Sequence, residues 1–273
     1  MGTAIGSDHT ASDRNLFAEE RRQRILDELD RSGRIIVNDL SDRFGVSTAT
    51  LRNDLRDLES AGLLQRTHGG AVPSAREQVI VEHSAEAALS ENQAAKIAIG
   101  RRAAEFVRDG DTLFCDSGST TIELVRACAN RRGLSIITND YIIAAEAERL
   151  LTDVSIMLLG GNVRNGFHYT MGASTVQMLQ RLSAPLAFLA ASAFSSERGF
   201  AVHTLELATF KRTLLERADR RIVLMDSSKF DHFTTVSYAD LPDVDVLVTD
   251  DGISAADRQL VERATGGPEL VIA

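Results

Sequence analysis

The sequence predicts an α/β domain with a mainly parallel sheet, preceded by a small, mostly helical N-terminal domain. After residue 110, short apolar runs of strand length alternate with segments of helical periodicity. Such alternation is typical of a parallel sheet that is covered by helices on both faces. Before residue 76, apolar residues recur at helical spacing in three short segments. The length of 273 residues permits two unequal domains of this kind.

The N-terminal domain is predicted to occupy residues 18–75. Residues 1–17 are rich in small polar residues and have little apolar content, so we expect a disordered tail there. Residues 19–31 then show apolar side chains at helical spacing, and Ser32-Gly33 ends this first helix.

The next two predicted helices form a helix-turn-helix. Asn38 is a suitable N-cap for a short second helix, and Gly45 closes that helix in the left-handed conformation. Ser47 caps a third helix, which presents leucines on one face until Gly62. A glycine-containing turn of three residues between two amphipathic helices is typical of this DNA-binding motif.

The third helix is predicted to read DNA. Its outward positions carry short hydrogen-bonding side chains and arginines, which suit phosphates and base edges in a major groove. Residues 63–67 and 71–72 are predicted to pair as a β-hairpin wing, which brings two more basic side chains to the DNA backbone. The predicted DNA-binding residues are Ser47, Thr48, Thr50, Arg52, Asn53, Arg56, Arg66 and His68.

Residues 76–90 are predicted to form a linker, and residues 91–273 a second domain for sensing and oligomerisation. A helix is expected over residues 91–108, and further helices over segments such as 142–151 and 205–218. The strand-like runs are residues 112–115, 135–138, 155–159, 186–190, 222–225, 244–248 and 270–272.

Small polar or glycine-rich turns follow these runs, and ligands of open parallel sheets bind beyond the C-terminal ends of the strands. The turn DSGSTT at 116–121 leads into a predicted helix, and its amides, hydroxyls and helix N-terminus suit a phosphate. Small residues also serve ordinary strand-to-helix turns, and that alternative stays open. Lys211 and Lys229 are notable because the chain has one other lysine, Lys96. The predicted ligand-binding residues are Asp116, Ser117, Gly118, Ser119, Thr120, Thr121, Thr138, Asn139, Gly160, Gly161, Ser192, Glu206, Lys211 and Lys229.

Composition argues against several classes of protein. No stretch approaches the ~20 apolar residues of a membrane span, and residues 1–15 lack the pattern of a signal peptide, so we expect a cytoplasmic protein. Cys115 and Cys128 lack the spacing of a zinc site and the histidines are scattered, so we expect no metal and no cofactor. The formal charge of −9 lies mostly after residue 75, which disfavours a chain that binds polyanions throughout.

Both halves resemble the DeoR-type bacterial sugar-catabolism repressors, in matching order over residues 19–252. In the N-terminal half the resemblance lies in RQRIL at 22–26, VS at 46–47, TLRNDL at 50–55, LE at 58–59, GLL at 62–64 and HGGA at 68–71. In the C-terminal half it lies in DSGSTT at 116–121, TN at 138–139, LGG at 159–161, MG at 171–172, Glu206, KR at 211–212 and DSSKF at 226–230. The resemblance implies a sensor domain similar to ribose-phosphate isomerases and phosphorylated sugars or related metabolites as effectors. It also implies a homo-oligomer, dimer or tetramer, that binds double-stranded operator DNA.

Four positions depart from that family pattern. Asn53 stands where the family usually has a second arginine, and Asp140 stands where a serine is usual. Asp140 brings a negative charge near a bound phosphate unless it caps a helix. Ala190 and Ala193 replace common glycines, and their methyl groups are expected to shrink the pocket or change which sugar fits.

The expected function is a non-enzymatic regulator, most simply a repressor of a carbohydrate-catabolism operon, although activation stays open. One alternative is a sugar-phosphate isomerase-like enzyme with a DNA-binding appendage, which needs a base and a proton donor near the sugar carbons. Glu206 is a possible base without an evident partner, so no catalytic residue is assigned. Another alternative is an adaptor whose helix-turn-helix serves dimerisation, and it predicts no salt-dependent DNA affinity.

Overall fold

The structure is a computed structural model that describes residues 18–32, 34–60, 63–67, 69–73, 78–79 and 84–273. The predicted tail over residues 1–17 lies outside this range. Two compact units meet in the chain between Gln78 and Val79. Within the described part of the chain, no helix is long and apolar enough to cross a membrane.

The N-terminal unit combines three helices with a small antiparallel sheet. Its elements are α1 (Ala18–Ser32), β1 (Ile35–Ile36), α2 (Val37–Phe44), α3 (Thr48–Ser60), β2 (Leu64–Thr67) and β3 (Gly70–Pro73). The strands are ordered β1-β3-β2. Apolar side chains from all three helices, such as Ile25, Leu40 and Leu51, are buried together and form the core. The three predicted helices are therefore confirmed.

Two of the three predicted helix caps are present. Gly45 has φ 65° and closes α2 in the left-handed conformation. The hydroxyl of Ser47 accepts a hydrogen bond from the Thr50 N–H, at 3.1 Å, and so caps α3. Gly62, the predicted end of α3, lies outside the described residues.

The prediction of Asn38 as an N-cap is wrong. The helix α2 begins at Val37, and Ile36 occupies the cap position without a side-chain hydrogen bond. The reason is the neighbouring sheet, because the Val37 N–H donates to the carbonyl of Gly69 at 2.9 Å. A backbone acceptor therefore satisfies a free N–H of the first turn, and no capping side chain is needed there.

The predicted wing is present as β2 and β3, which pair antiparallel with Arg66 opposite Ala71 and Thr67 opposite Gly70. The strand β3 begins at Gly70, one residue earlier than predicted. A Cβ on Gly70 would lie 1.6 Å from the carbonyl oxygen of Ile35. Glycine therefore permits the close approach of β1 to β3.

The short strand β4 (Gln78–Val79) spans the boundary in the chain between the two units, and the C-terminal unit begins at Val79. The next elements are α4 (Ala85–Ser90), α5 (Gln93–Ala103), β5 (Thr112–Cys115), α6 (Ser119–Ala127), β6 (Ser135–Thr138), α7 (Tyr141–Leu150), β7 (Ser155–Leu158), β8 (Asn162–Arg164), β9 (Tyr169–Met171) and α8 (Ala173–Leu179). They are followed by β10 (Ala184–Ala190), β11 (Ala193–Ser195), β12 (Gly199–Val202), α9 (Leu205–Glu216), β13 (Ala218–Leu224), β14 (His232–Phe233), β15 (Val236–Ala239), β16 (Val246–Thr249), α10 (Ala255–Arg263) and β17 (Glu269–Ile272). Three short 3-10 helices cover Ala104–Phe106, Ser227–Lys229 and Leu241–Asp243.

Seven strands form one sheet in the order β17-β16-β13-β10-β5-β6-β7. Every neighbouring pair is parallel. In the central strand β10, Leu186 and Phe188 enter one hydrophobic core while Ala187 and Leu189 enter the other. Both faces of the sheet are thus buried at its centre, and the predicted α/β class is confirmed.

The structure differs from the predicted linker over residues 84–90. The Ser84 hydroxyl accepts a hydrogen bond from the Ala87 N–H and caps α4. Leu89 packs against the hydrophobic core of the C-terminal unit. Weak periodicity hides this helix in the sequence because none of its residues is fully buried.

Candidate functional site

The helix α3 has one buried apolar face and one exposed polar face. Arg52, Asn53 and Arg56 are exposed, while Leu51 and Leu55 on the opposite side are buried. Positions 52, 53 and 56 lie on one side of the helix because neighbours three and four residues apart share a face. Within the described residues, no ion pair or side-chain hydrogen bond holds these three side chains. They are therefore available to an external partner.

The N-terminal end of α3 carries the hydroxyls that were predicted to contact DNA. Ser47 is exposed, and its Oγ lies 2.9 Å from Oγ1 of Thr50. Thr48 and Thr50 are half-buried. These groups begin a helix, where free backbone N–H groups attract phosphate oxygens.

A buried ion pair fixes α3 against α1. Asp54 is 3 % exposed, and its carboxylate accepts hydrogen bonds from Arg21 Nε at 2.6 Å and from Arg22 Nε at 3.3 Å. The hydrogen bond to Asp54 raises the pKa of Arg21. The sequence analysis did not identify this pair, because its members lie 33 positions apart.

Arg66 holds the wing against α3. Its backbone N–H and its Nε donate to the two carboxylate oxygens of Glu59, at 2.9 and 2.7 Å. These bonds, led by the one from the backbone, lower the pKa of Glu59. A contact between Arg66 and DNA stays a prediction, and His68 lies outside the described residues.

A cavity of about 180 Å³ lies at the C-terminal ends of β5, β6, β10 and β13 in the C-terminal unit. All three lysines of the chain line it, together with the loop that follows β5. Of the predicted ligand-binding residues, the structure brings together Ser117, Gly118, Ser119, Ser192, Lys211 and Lys229.

The loop after β5 brings backbone and hydroxyl donors to the cavity. Ser117 and Gly118 line it, and α6 begins at Ser119 with its N-terminus on the cavity wall. A Cβ on Gly118 would lie 2.9 Å from the Cβ of Ala190, and the φ of Gly118 is 153°. The methyl group of Ala190 therefore packs directly on the loop and narrows this part of the cavity.

Asp116 and Lys211 form a buried ion pair at the base of the cavity. Asp116 is fully buried, and one carboxylate oxygen accepts hydrogen bonds from Lys211 and from the Ala190 N–H at 3.0 Å. Lys211, 2 % exposed, also donates to the Ala190 carbonyl at 2.8 Å. Burial raises the pKa of Asp116, and the charge of Lys211 acts against that rise. The pair joins the ends of β5 and β10 to α9.

Lys96 and Lys229 supply the remaining cations. Lys96 is 4 % exposed, and its Nζ donates to the carbonyls of Ala88 at 2.5 Å and Glu91 at 2.7 Å. Burial lowers the pKa of Lys96; Asp226 opposes this effect and Lys229 adds to it. In the part of the chain that the structure describes, no carboxylate pairs with the ammonium of Lys229. The ammonium groups of Lys96 and Lys229 thus repel each other in the cavity.

Asp140 lines the cavity and also caps α7. Its carboxylate accepts hydrogen bonds from the backbone N–H groups of Ile142 at 2.8 Å and Ile143 at 3.1 Å. Burial raises the pKa of Asp140 to about 6. The helix cap explains how an acidic residue is accommodated here.

The other predicted ligand-binding residues do not line the cavity. They are Asp116, Thr120, Thr121, Thr138, Asn139, Gly160, Gly161 and Glu206. Thr138 accepts from the Asp140 N–H at 3.0 Å, and Asn139 donates to the Thr170 carbonyl at 3.1 Å, so both stabilise loops. Glu206 is exposed in the first turn of α9.

Several lining residues were missed by the sequence analysis. They include Ala85, Ala88, Leu89, Glu91, Lys96, Phe167, His168, Tyr169 and His203. His203 lies beside Thr234, with its Nδ1 at 2.7 Å from Oγ1. The scarcity of lysine in the sequence was the one feature that could have indicated Lys96 as a site residue. Nothing in the local sequence pattern indicated that α4 forms part of the cavity wall.

Comparison with known proteins assigns both units to one family. The family model described as the DeoR C terminal sensor domain matches residues 91–251, and the DeoR-like helix-turn-helix domain matches residues 21–77. A putative aga operon transcriptional repressor from Escherichia coli O157:H7 is 33% identical over 97% of this chain and 98% of its own. The HTH-type transcriptional regulator GlpR from Haloferax volcanii is 32% identical over 91% and 96%. The lactose phosphotransferase system repressor from Lactococcus lactis is 30% identical over 86% and 92%.

Among solved structures, ribose 5-phosphate isomerase A from Methanocaldococcus jannaschii matches 51% of this chain and 55% of its own. The TM-score is 0.38 and the sequence identity is 17%. At these values the similarity carries no conclusion about activity.

Proposed function

The chain belongs to the DeoR family of helix-turn-helix transcriptional regulators, and from this membership we propose that it represses a carbohydrate-catabolism operon until a phosphorylated sugar binds. The observation that carries the proposal is the cavity of the C-terminal unit. There, the three lysines of a chain that otherwise uses arginine lie around the N-terminus of α6.

The proposed DNA binding rests on the exposed polar face of α3. Arg52 and Arg56 are exposed cations with a free guanidinium, and Asn53 between them is an amide suited to a base edge. The Asp54 ion pair holds the helix in place, so its polar face is presented rigidly. A homo-oligomer, dimer or tetramer, would present two such helices to repeated half-sites of an operator.

The phosphate part of the proposal rests on the lysine charges and on the start of α6. Ser117 and Gly118 line the cavity at the positive end of the nine-residue helix α6, where an anion is stabilised. Lys229 has no ion-pair partner among the described residues, and its charge helps to lower the pKa of the neighbouring Lys96. A phosphate relieves the repulsion between these two ammonium groups, which favours a dianion over a neutral sugar.

The sugar part of the ligand would contact the opposite wall. Ser192 and His203 offer polar groups for hydroxyls, and Phe167 and Tyr169 offer apolar surface. Such a combination of apolar surface and a few polar groups is common in small-molecule sites.

The isomerase alternative has less support in this cavity. Glu206, the possible base, is exposed and does not line it. The carboxylate of Asp140 is engaged by two backbone N–H groups of α7. An enzyme would convert the same sugar phosphate that stabilises the protein. NMR of the sugar phosphate after incubation with the protein distinguishes conversion from binding alone.

A thermal-shift screen of the full chain tests the proposal. Sugar phosphates, their unphosphorylated forms and sugar acids are compared on the wild type and on Lys229→Met. A ligand at 100 times its Kd stabilises the native state by about 2.7 kcal/mol, which corresponds to roughly 5–10 °C in Tm for this size of domain. We expect this shift with one or more sugar phosphates, and we expect Lys229→Met to remove most of it.

The matched control is Arg101→Met, which removes an exposed cation from α5 outside the cavity. It is expected to retain the full shift. Equal shifts from phosphorylated and unphosphorylated sugars, or an unchanged shift in Lys229→Met, would show that the cavity does not recognise phosphate.

A further inference from the structure

We propose that Lys96 is a positioning residue that ties effector binding to α4, the first helix after the boundary between the two units. An anion in the cavity draws the ammonium of Lys96 away from the carbonyls of Ala88 and Glu91, and α4 loosens. This inference rests on the phosphate site proposed above. It names α4 as the element through which that site would regulate the protein.

The helix α4 is held by few contacts in the described part of the chain. Its six residues include none that is fully buried, although Leu89 packs on the core. The Ala85 N–H donates to the carbonyl of Gly166 at 2.9 Å, and Ser84 caps the first turn. A helix this short is not stable in isolation, so its order depends on these contacts.

Lys96 adds hydrogen bonds from a charged donor to these contacts. The last carbonyls of a helix lack intrahelical partners, and they carry partial negative charge. The ammonium of Lys96 donates to one such oxygen, of Ala88, and to the carbonyl of Glu91, the residue that follows α4. Hydrogen bonds from a charged donor are about twice as strong as neutral ones. Lys96 therefore acts as a side-chain cap of the C-terminal end of α4.

The same ammonium also lines the effector cavity, beside Lys229 and the Ser117 loop. A phosphate there is a charged acceptor, whereas the two carbonyls are neutral acceptors. The interaction with the anion is stronger in this buried position than in water. Binding of an anion and capping of α4 thus compete for one side chain.

The position of α4 in the chain links this competition to the DNA-binding unit. The helix follows the DNA-binding unit in sequence and forms part of the cavity wall through Ala85, Ala88 and Leu89. A ligand changes DNA affinity only if it binds the ordered and loosened states of the protein differently. Competition for Lys96 provides that difference.

Hydrogen exchange of the full chain, read by mass spectrometry, tests the inference with inorganic phosphate as the probe. In the wild type, phosphate is expected to slow exchange in residues 117–122 and to speed exchange in residues 87–91 about tenfold, because a charged hydrogen bond is lost. Lys96→Met is expected to show fast exchange in residues 87–91 without phosphate, and no further response there.

Two further variants separate positioning from a general loss of stability. Lys96→Arg retains a charged donor, so it is expected to restore slow exchange in residues 87–91 without phosphate. Arg101→Met, on the exposed side of the same helix α5, is expected to behave as the wild type.

The outcomes are distinguishable. Protection of residues 117–122 by phosphate with unchanged exchange in residues 87–91 overturns the role of Lys96 and leaves the phosphate site intact. Slow basal exchange of residues 87–91 in Lys96→Met overturns it as well. No response in either segment, together with no thermal shift from any sugar phosphate, overturns both the phosphate site and the inference.

Discussion

Replacing Arg52 by alanine is expected to weaken binding to the operator roughly 5- to 150-fold, the equivalent of about 1–3 kcal/mol. Arg52 is exposed in the middle of the polar face of α3, and no group among the described residues holds its guanidinium. Its loss therefore removes a contact with DNA without breaking one inside the protein. The stability of the variant should match that of the wild type.

The measurement is fluorescence anisotropy on duplexes selected from genomic fragments by the wild-type protein, over a range of salt concentrations. If Arg52 contacts a phosphate, its loss reduces the slope of log affinity against log salt concentration by about one. If it contacts a base, discrimination at one position of the operator is lost instead. Arg101→Ala, far from α3 in sequence, serves as the control. Wild-type affinity in Arg52→Ala would show that α3 does not read DNA.

Replacing Lys211 by methionine is expected to give the largest loss of stability, about 3–5 kcal/mol. The change leaves the carboxylate of Asp116 fully buried without its counter-ion. For a domain of this size the loss corresponds to a Tm lower by roughly 6–20 °C. Calorimetry of the full chain measures the change, and Lys229→Met, which breaks no ion pair seen in the structure, is the matched lysine control.

The double variant Asp116→Asn with Lys211→Met tests the physical cause. It removes both charges, so it is expected to recover at least half of the stability lost in Lys211→Met alone. A double-mutant cycle gives the coupling between the two residues. A loss below about 1 kcal/mol in Lys211→Met would mean that Asp116 is neutralised or solvated without the lysine.

Local sequence pattern was sufficient to predict the large elements of the fold. All seven strands of the main sheet were predicted, because each contains a continuous apolar run. In the central strands the run follows from burial on both faces, whereas the edge strand β7 contains such a run although most of it is exposed. The strand bounds shifted by up to four residues, as in β13, where Ala218 and the three charged residues after it extend the strand. Gly45 and Ser47 were predicted correctly as caps because their roles depend on residues within one turn.

Elements that depend on distant partners were not predictable in this way. The strands β8, β9, β11 and β12 contain three or four residues each, and pairing with one another or with β15 defines them. Asn38 lost its predicted cap role because a backbone carbonyl across the sheet satisfied the helix instead.

The candidate ligand site shows the same limit. Asp116 lies in a loop that the sequence assigned to a ligand, yet its side chain turns inward to Lys211, which is 95 positions away. Lys96 entered the sequence analysis as one of three lysines, but its place beside Lys229 results from the packing of α5 on the sheet. The order of chemical groups along a chain indicates which loops bear a site, whereas tertiary packing decides which side chains face the ligand.

The most direct test of regulation by a phosphorylated sugar is the affinity of the full-length protein for its operator, with and without the sugar phosphate that raises its Tm. We predict that the sugar phosphate lowers operator affinity roughly 5- to 150-fold, and that operator DNA lowers sugar-phosphate affinity by the same factor. The unphosphorylated sugar should have no effect at the same concentration. Operator affinity that is unchanged by the sugar phosphate, or lowered equally by the unphosphorylated sugar, would contradict the proposed mechanism.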